Sequence, residues 1–145
     1  SFYEDIDELG RIHEEKYSDA LTKGFMELDE KVSKQEYCKD TGTTSCVVLK
    51  QTQKFTVQTL ETAEAPLQLI LGQPLSFDHK PLNQKESKRI YKATHYVEDN
   101  RVDGNLALSR AFGDFMYKDQ KSLSAEEQAV TAHPDVTVRD RNDKD

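Results

Sequence analysis

The hydrophobic period of this 145-residue chain changes along its length, and that change restricts the folds open to it. Leu21, Phe25, Leu28 and Val32 recur at i, i+4, i+7 and i+11, the spacing of one helix face, with Ser18 placed as an N-cap. Lys23, Glu27, Glu30 and Lys34 occupy the opposite face, so the spacing predicts a helix over 19–34. Phe2, Ile6 and Leu9 predict an earlier helix over 2–16, weakened by Gly10 and ending in the polar run Glu14, Glu15 and Lys16. From Ser45 onward the pattern becomes that of strands. Ser45 to Leu49 is rich in Val, and Phe55, Val57 and Thr59 alternate with Thr56 and Gln58, which predicts a half-buried strand. Leu67 to Leu71 is a third apolar run, closed by Gly72 and Pro74. Helical signals return after Pro81: Asn83 as a cap and Glu86 at the capping-box position open a helix to about Ala93. Tyr96-Val97 and Leu106-Ala107-Leu108 read as short strands with Gly104 and Asn105 as turn chemistry, and Val130, Val136 and Val138 suggest a closing strand. With no repeat and no linker, the economical architecture is one α+β domain over residues 1–145. A chain of this size hides roughly 68–70% of its unfolded surface, enough for a real core.

Charge narrows the function. Twenty basic and 27 acidic side chains give a formal charge of −7. A balance of that sign argues against a nucleic-acid surface, which needs basic patches to neutralise phosphates. No apolar run approaches the ~20 residues of a membrane-spanning helix. Cys38 and Cys46 form no CxxC pair and no disulfide scaffold, and there is no Asn-x-Ser/Thr acceptor, so an intracellular, cytoplasmic setting is expected.

Most familiar chemistry fails on inspection. Asp99, Asp103 and Gly104 mimic positions one, five and six of a calcium loop, but Arg101 and Arg110 stand at positions three and twelve, where oxygen ligands are required. No H-E-x-x-H, Walker A, G-x-G-x-x-G or G-x-S-x-G pattern occurs. His13, His79, His95 and His133 are scattered singly, and Asp78-His79 is equally a turn-capping pair. Two segments are more specific. The first is Pro74-Leu75-Ser76-Phe77-Asp78-His79-Lys80-Pro81, followed by Glu86, Arg89 and Ile90. The second runs from Arg101 through Asp103-Gly104-Asn105 and Ser109-Arg110-Ala111-Phe112-Gly113-Asp114-Phe115 to Tyr117-Lys118. Thr41-Gly42-Thr43-Thr44 precedes them, and Glu126-Glu127-Gln128-Ala129-Val130 with Pro134-Asp135-Val136 follows.

In this order the segments resemble the type-2C, metal-dependent serine/threonine protein phosphatases, across nearly the whole chain. The resemblance implies a phosphatase-2C-like αββα sandwich, two antiparallel sheets flanked by helices, of which this chain is the central part. It also implies a binuclear Mg²⁺ or Mn²⁺ centre held by aspartates, because hard cations take oxygen ligands, with a metal-bound water attacking a phosphoserine or phosphothreonine. Gly42, Thr43, Asp78, His79, Pro81, Ser109, Arg110, Gly113 and Asp114 match the family motifs. The stretch from Asp78 to Asp114 corresponds to the family's flap beside the active site.

The departures point the other way. There is no Asp-Gly-His triplet, and where the family carries a Gly-Asp-Ser-Arg turn this chain reads Glu61-Thr62-Ala63-Glu64. A threonine cannot supply the charge a bound dication demands. Thr94-His95 stands where the family has two glycines, and Asp103 where Asn is usual. The expectation is therefore a catalytically deficient member, a pseudophosphatase, with no metal ligand, no catalytic residue and no cofactor, serving as a protein-binding, regulatory or scaffolding module or as a subunit of a larger assembly. The alternative is a fragment or divergent form of an active phosphatase, in which case Mg²⁺ or Mn²⁺ is the cofactor. Lys80, Lys85, Lys88, Arg89, Lys92, Arg101 and Arg110 make the flap-like stretch locally basic. They form either a solvated face or a docking surface for an acidic or phosphorylated protein. Asp114, the surviving family aspartate, is expected at minimum to cap a turn after Gly113.

Overall fold

In a computed structural model of the chain, residues 2–38, 40–50, 54–60 and 75–140 are described. A single helix, α1 (Phe2–Ser33), takes the first 32 of these. The two helices expected from the sequence are thus one: Gly10 costs only about 1 kcal/mol inside a helix and does not break it. Strands β1 (Gly42–Thr43), β2 (Ser45–Lys50) and β3 (Lys54–Leu60) follow. Helix α2 (Gln84–Lys92) and the short strands β4 (Val97–Glu98), β5 (Arg101–Val102) and β6 (Phe112–Gly113) come next, and β7 (Asp135–Asp140) closes the described chain. The apolar run 67–71 lies outside the described residues.

Among the described residues three antiparallel sheets form, of order β2-β3-β7, β1-β6 and β4-β5. Val57 of β3 pairs Val48 on one side and Thr137 on the other. That central position corrects the half-buried reading, because Thr56, Val57, Thr59 and Leu60 are all buried. The hairpin of β4 and β5 turns at Asp99 and Asn100, whose φ values of 50° and 58° are those of a two-residue primed turn, matched to the twist of the strands. The expected turn at Gly104-Asn105 lies one step later. There Leu106 returns to bridge Val102 in place of forming a strand with Ala107 and Leu108.

Among the described residues two apolar clusters hold these pieces. Ile90 and Ala93 of α2 pack with Val102, Ala111, Tyr117, Ala129 and Val130, while Val97 and Leu106 lie against them. Val130, expected in the closing strand, lies inside this cluster and not in a strand. The second cluster joins Phe25 of α1 to Leu60, Phe112 and Ala132, with the rings of Phe25 and Phe112 at 5.0 Å and tilted by 44°. It seats α1 on β6, beside the loop that carries Ser109 and Arg110.

Candidate functional site

Helix α2 buries one stripe, Glu86 and Ile90, one turn apart. Ile90 enters the apolar cluster, and Glu86 is carried to the same depth with 2% of its surface exposed. The sequence placed Glu86 in a capping box with Asn83. The structure corrects this: Asn83 makes no side-chain cap, and its Nδ2 donates to the Asp78 carbonyl at 2.7 Å. A buried carboxylate needs cations and donors, and Glu86 has four. Its Oε2 accepts from Arg89 Nη1 at 2.7 Å, Ser109 Oγ at 2.7 Å and Arg110 Nε at 3.1 Å, and its Oε1 accepts from Arg110 Nη2 at 2.7 Å. Arg110 thus grips Glu86 with two parallel bonds, the geometry a guanidinium fork favours.

The network reaches further. Arg110 Nη1 donates to Asp135 Oδ1 at 2.8 Å and to the His133 carbonyl at 3.1 Å. His79 Nε2 stands 2.8 Å from Asp135 Oδ2; a carboxylate only accepts, so this nitrogen carries the proton. Ser109 Oγ is also 2.5 Å from the His79 carbonyl, and its one proton is shared between that oxygen and Glu86. Arg89 donates to the carbonyls of Gln128 at 2.9 Å, Ser109 at 2.6 Å and Ala129 at 3.2 Å. Two carboxylates face two guanidiniums, so the cluster is neutral before any charge on His79. Burial pushes the Glu86 carboxyl up, but the Arg110 bond, the charges of Arg89 and Arg110 and the Ser109 hydroxyl outweigh it and hold the pKa at about 2. The His79 bond, with Arg110 behind it, likewise holds Asp135 well below the usual carboxylate range against its burial.

A second junction surrounds β6. Gly42 pairs Gly113, and Thr43 pairs Phe112. Gly113 has φ +75°, and a Cβ there would lie 2.1 Å from the Thr41 carbonyl oxygen; a Cβ on Gly42 would lie 2.0 Å from Asp114 Oδ2. Gly113 is closed to any side chain by the Thr41 backbone, whereas a side chain at Gly42 would have to turn the Asp114 carboxyl aside. Asp114 sits in the left-handed region at φ 52° and opens the short 3₁₀ turn Phe115–Tyr117, but its carboxyl makes no cap bond; it packs on Gly42 instead. Burial raises its pKa, Lys118 opposes that, and the Asp29 carboxylate adds to it. Asp29 of α1 accepts from the Gly113 N–H at 2.8 Å and holds Lys118 Nζ at 2.9 and 2.8 Å through its two oxygens. Lys118 also donates to the Ala111 carbonyl at 2.9 Å and lies 5.1 Å from the Phe115 ring centroid. Its burial pushes the ammonium pKa down, against the pull of Asp29.

Of the motif residues, His79, Ser109 and Arg110 belong to the first network, Asp78 and Pro81 lie in the loop that carries His79, and Gly42, Thr43, Gly113 and Asp114 gather at the second. Pro81 is fully buried, and Lys80 lies 3.3 Å from Asp78 Oδ2. The docking set divides. Lys85, Lys88 and Lys92 stand on the outer face of α2, and Arg101 donates to the Asn105 carbonyl at 2.6 Å on the hairpin. Arg89 and Arg110 do not belong with them: their guanidiniums point inward, with side-chain exposures of 12% and 2%, because Glu86 draws them into the core. Asp29, Asp135 and the inward role of Glu86 were missed. One signal was available, since Ser109-Arg110 stands between Leu106-Ala107-Leu108 and Ala111-Phe112, and an arginine set between apolar segments implies a buried partner.

Among the described residues no three His, Cys, Asp or Glu side chains come together as a metal site. These residues therefore do not by themselves fit a binuclear centre, and Glu61, Thr62, Ala63 and Glu64 lie outside the described residues. What the geometry does is positional: it locks the Asp78–Pro81 loop, α2, the Ser109–Arg110 loop and the start of β7 into one unit.

The protein phosphatase 2C family model matches residues 4–145. The chain belongs to the protein phosphatase 2C family. A probable protein phosphatase 2C of Caenorhabditis elegans is 46% identical over 121 residues, covering 81% of this chain and 34% of the relative. Protein phosphatase 2C homolog 2 of Aspergillus fumigatus is 41% identical over 129 residues, covering 87% of this chain and 30% of the relative. The chain thus spans about a third of the length of these protein phosphatase 2C relatives. A crystal structure of a serine-threonine phosphatase 2C from Toxoplasma gondii superposes with TM-score 0.65 at 22% identity, covering 88% of this chain and 47% of that one, and shows the fold. The α+β architecture with antiparallel sheets and flanking helices is the phosphatase 2C fold, present here in part.

Proposed function

We propose that this segment is the flap-bearing central part of a metal-dependent serine/threonine protein phosphatase of the 2C type. One observation carries the reading: the 46% identity with a probable protein phosphatase 2C over 121 residues, 81% of this chain. A phosphatase must keep its flap and loops in fixed register while a charged phosphoprotein binds, and the neutral Glu86–Arg89–Arg110–Asp135 cluster supplies that rigidity. Chemistry at phosphorus would be supplied by Mg²⁺ or Mn²⁺ held by residues other than the described ones. The test is Mn²⁺-dependent hydrolysis of a phosphothreonine peptide by the full natural protein carrying this segment. Turnover abolished by chelator supports the reading; absence of turnover across Mg²⁺ and Mn²⁺ concentrations sinks it.

A second reading rests on Glu61-Thr62-Ala63-Glu64. With no aspartate in that turn, the same fold would serve as a binding module without turnover. Changing Thr62 to Asp separates the two: a gain of hydrolysis from an inert parent favours the deficient module, and an already active parent removes it.

A further inference from the structure

A groove of about 370 Å³ runs between α2 and the segment 126–133. Its rim carries Lys85, Lys88 and Lys92, spaced i, i+3 and i+7 on one face of α2. The guanidiniums of Arg89 and Arg110 turn away toward Glu86, so these residues offer the groove their aliphatic stems. Lys85 is paired with Asp135 at 3.4 Å and Lys92 with Glu127 at 2.5 Å. Both pairs are exposed, and exposed pairs contribute about 0–1 kcal/mol, so an incoming anion can displace them. Lys88, between the two, has no ion-pair partner among the described residues. Around the groove Lys85, Lys88, Lys92, Arg89 and Arg110 meet four carboxylates, Glu86, Asp135, Glu126 and Glu127, with Asp135 shared between Arg110 and Lys85, which leaves a local excess of positive charge in a chain of −7.

Spacing selects the occupant. Along a helix axis Lys88 and Lys92 are about 6 Å apart. Alternate side chains of an extended strand are about 6.6–6.8 Å apart and point the same way. We infer that the groove docks an extended acidic segment of a partner protein, whose carboxylates at alternate positions meet Lys88 and Lys92 while the groove floor of arginine stems receives the chain between them. The inference does not depend on turnover, so it stands or falls separately from the proposed activity.

The probe is a fluorescein-labelled peptide of alternating Glu and Ala, followed by anisotropy with the full natural protein, beside a peptide with Gln at each Glu position. The acidic peptide binds and the Gln peptide does not. Lys88→Glu lowers the affinity about tenfold, in the range of a charge reversal at an interface. Lys31→Glu, an equal charge change at an exposed position of α1, leaves it unchanged. Lys88 is exposed, so its replacement leaves the fold intact, which an unchanged unfolding midpoint verifies. Failure of the acidic peptide to bind overturns the inference. So does equal loss in the two variants, or equal binding of the Gln peptide.

Discussion

The three-stranded sheet and the loop region between residues 75 and 134 solve the same problem by different means. In the sheet, the backbone of β3 is satisfied by ladders to β2 and β7, and side chains need only pack. In the loop region the regular elements are α2, three two-residue strands and two single 3₁₀ turns, Phe115–Tyr117 and Ala125–Glu127, yet much of the chain there is buried. Buried loops ordinarily leave carbonyls without partners. Here two arginines do the work of a ladder: Arg89 and Arg110 between them reach the carbonyls of Ser109, Gln128, Ala129 and His133. Glu86 and Asp135 neutralise the arginines so that they can be buried. An irregular backbone can be held as firmly as a sheet, provided charged side chains replace the missing neighbours and are themselves fully paired.

Removing one charge strikes the loop region hardest. Glu86→Gln leaves the buried Arg110 and Arg89 to share one counter-charge, Asp135, and we expect a loss of about 3–5 kcal/mol in denaturant unfolding. A loss below 1 kcal/mol would remove the ionic cluster as the main support. Acid provides the same test without mutation. The folded-state pKa of Glu86 lies below its ordinary 4.5, at about 2, and Asp135 is held low as well. Their contribution is therefore fully present above pH 4.5 and is lost as pH falls from there toward 2, by about 3 kcal/mol for Glu86 alone. Thermal unfolding followed over that window should decline for the parent and stay flatter for Glu86→Gln. Gly113→Ala, at the second junction, demands a left-handed conformation and a Cβ against the Thr41 carbonyl, at a cost of about 1–3 kcal/mol by calorimetry. The exposed edge of the sheet marks the other extreme. Val48→Thr on β2, at a residue 45% exposed, should change stability by no more than about 0.5 kcal/mol. A larger effect there would mean that β2 is covered in the full protein.

The sheet was legible in the sequence because its order is local. Alternation at Phe55–Thr59 and the Val-rich run at Ser45–Leu49 marked β3 and β2, and the signals around Pro81 and Asn83 marked α2 within a residue. The loop region was legible only as motif. Nothing local to Glu86 announces Arg110, 24 positions on, or links Arg110 to Asp135, 25 positions further. Lacking those contacts, Glu86 looked like a cap and Arg89 and Arg110 like surface charge. Helix α1 was split for a related reason: Gly10 is a local signal, and local signals are weak where the rest of a helix outvotes them.

The span of the Glu86 cluster has a consequence for synthesis. A ribosome delivers Glu86 first, Arg110 later and Asp135 last. While the chain ends short of position 110, the inward-turning Glu86 has Arg89 as a partner but lacks the Arg110 fork and the Ser109 hydroxyl, and docking that face would bury two charges whose hydrogen bonds are incomplete. The helix must stay undocked until Arg110 emerges, and the final seal waits for the first residue of β7. A nascent chain paused between positions 86 and 110 would therefore present the apolar side of α2 to the surrounding solution, which makes that interval the natural point for a chaperone to hold it.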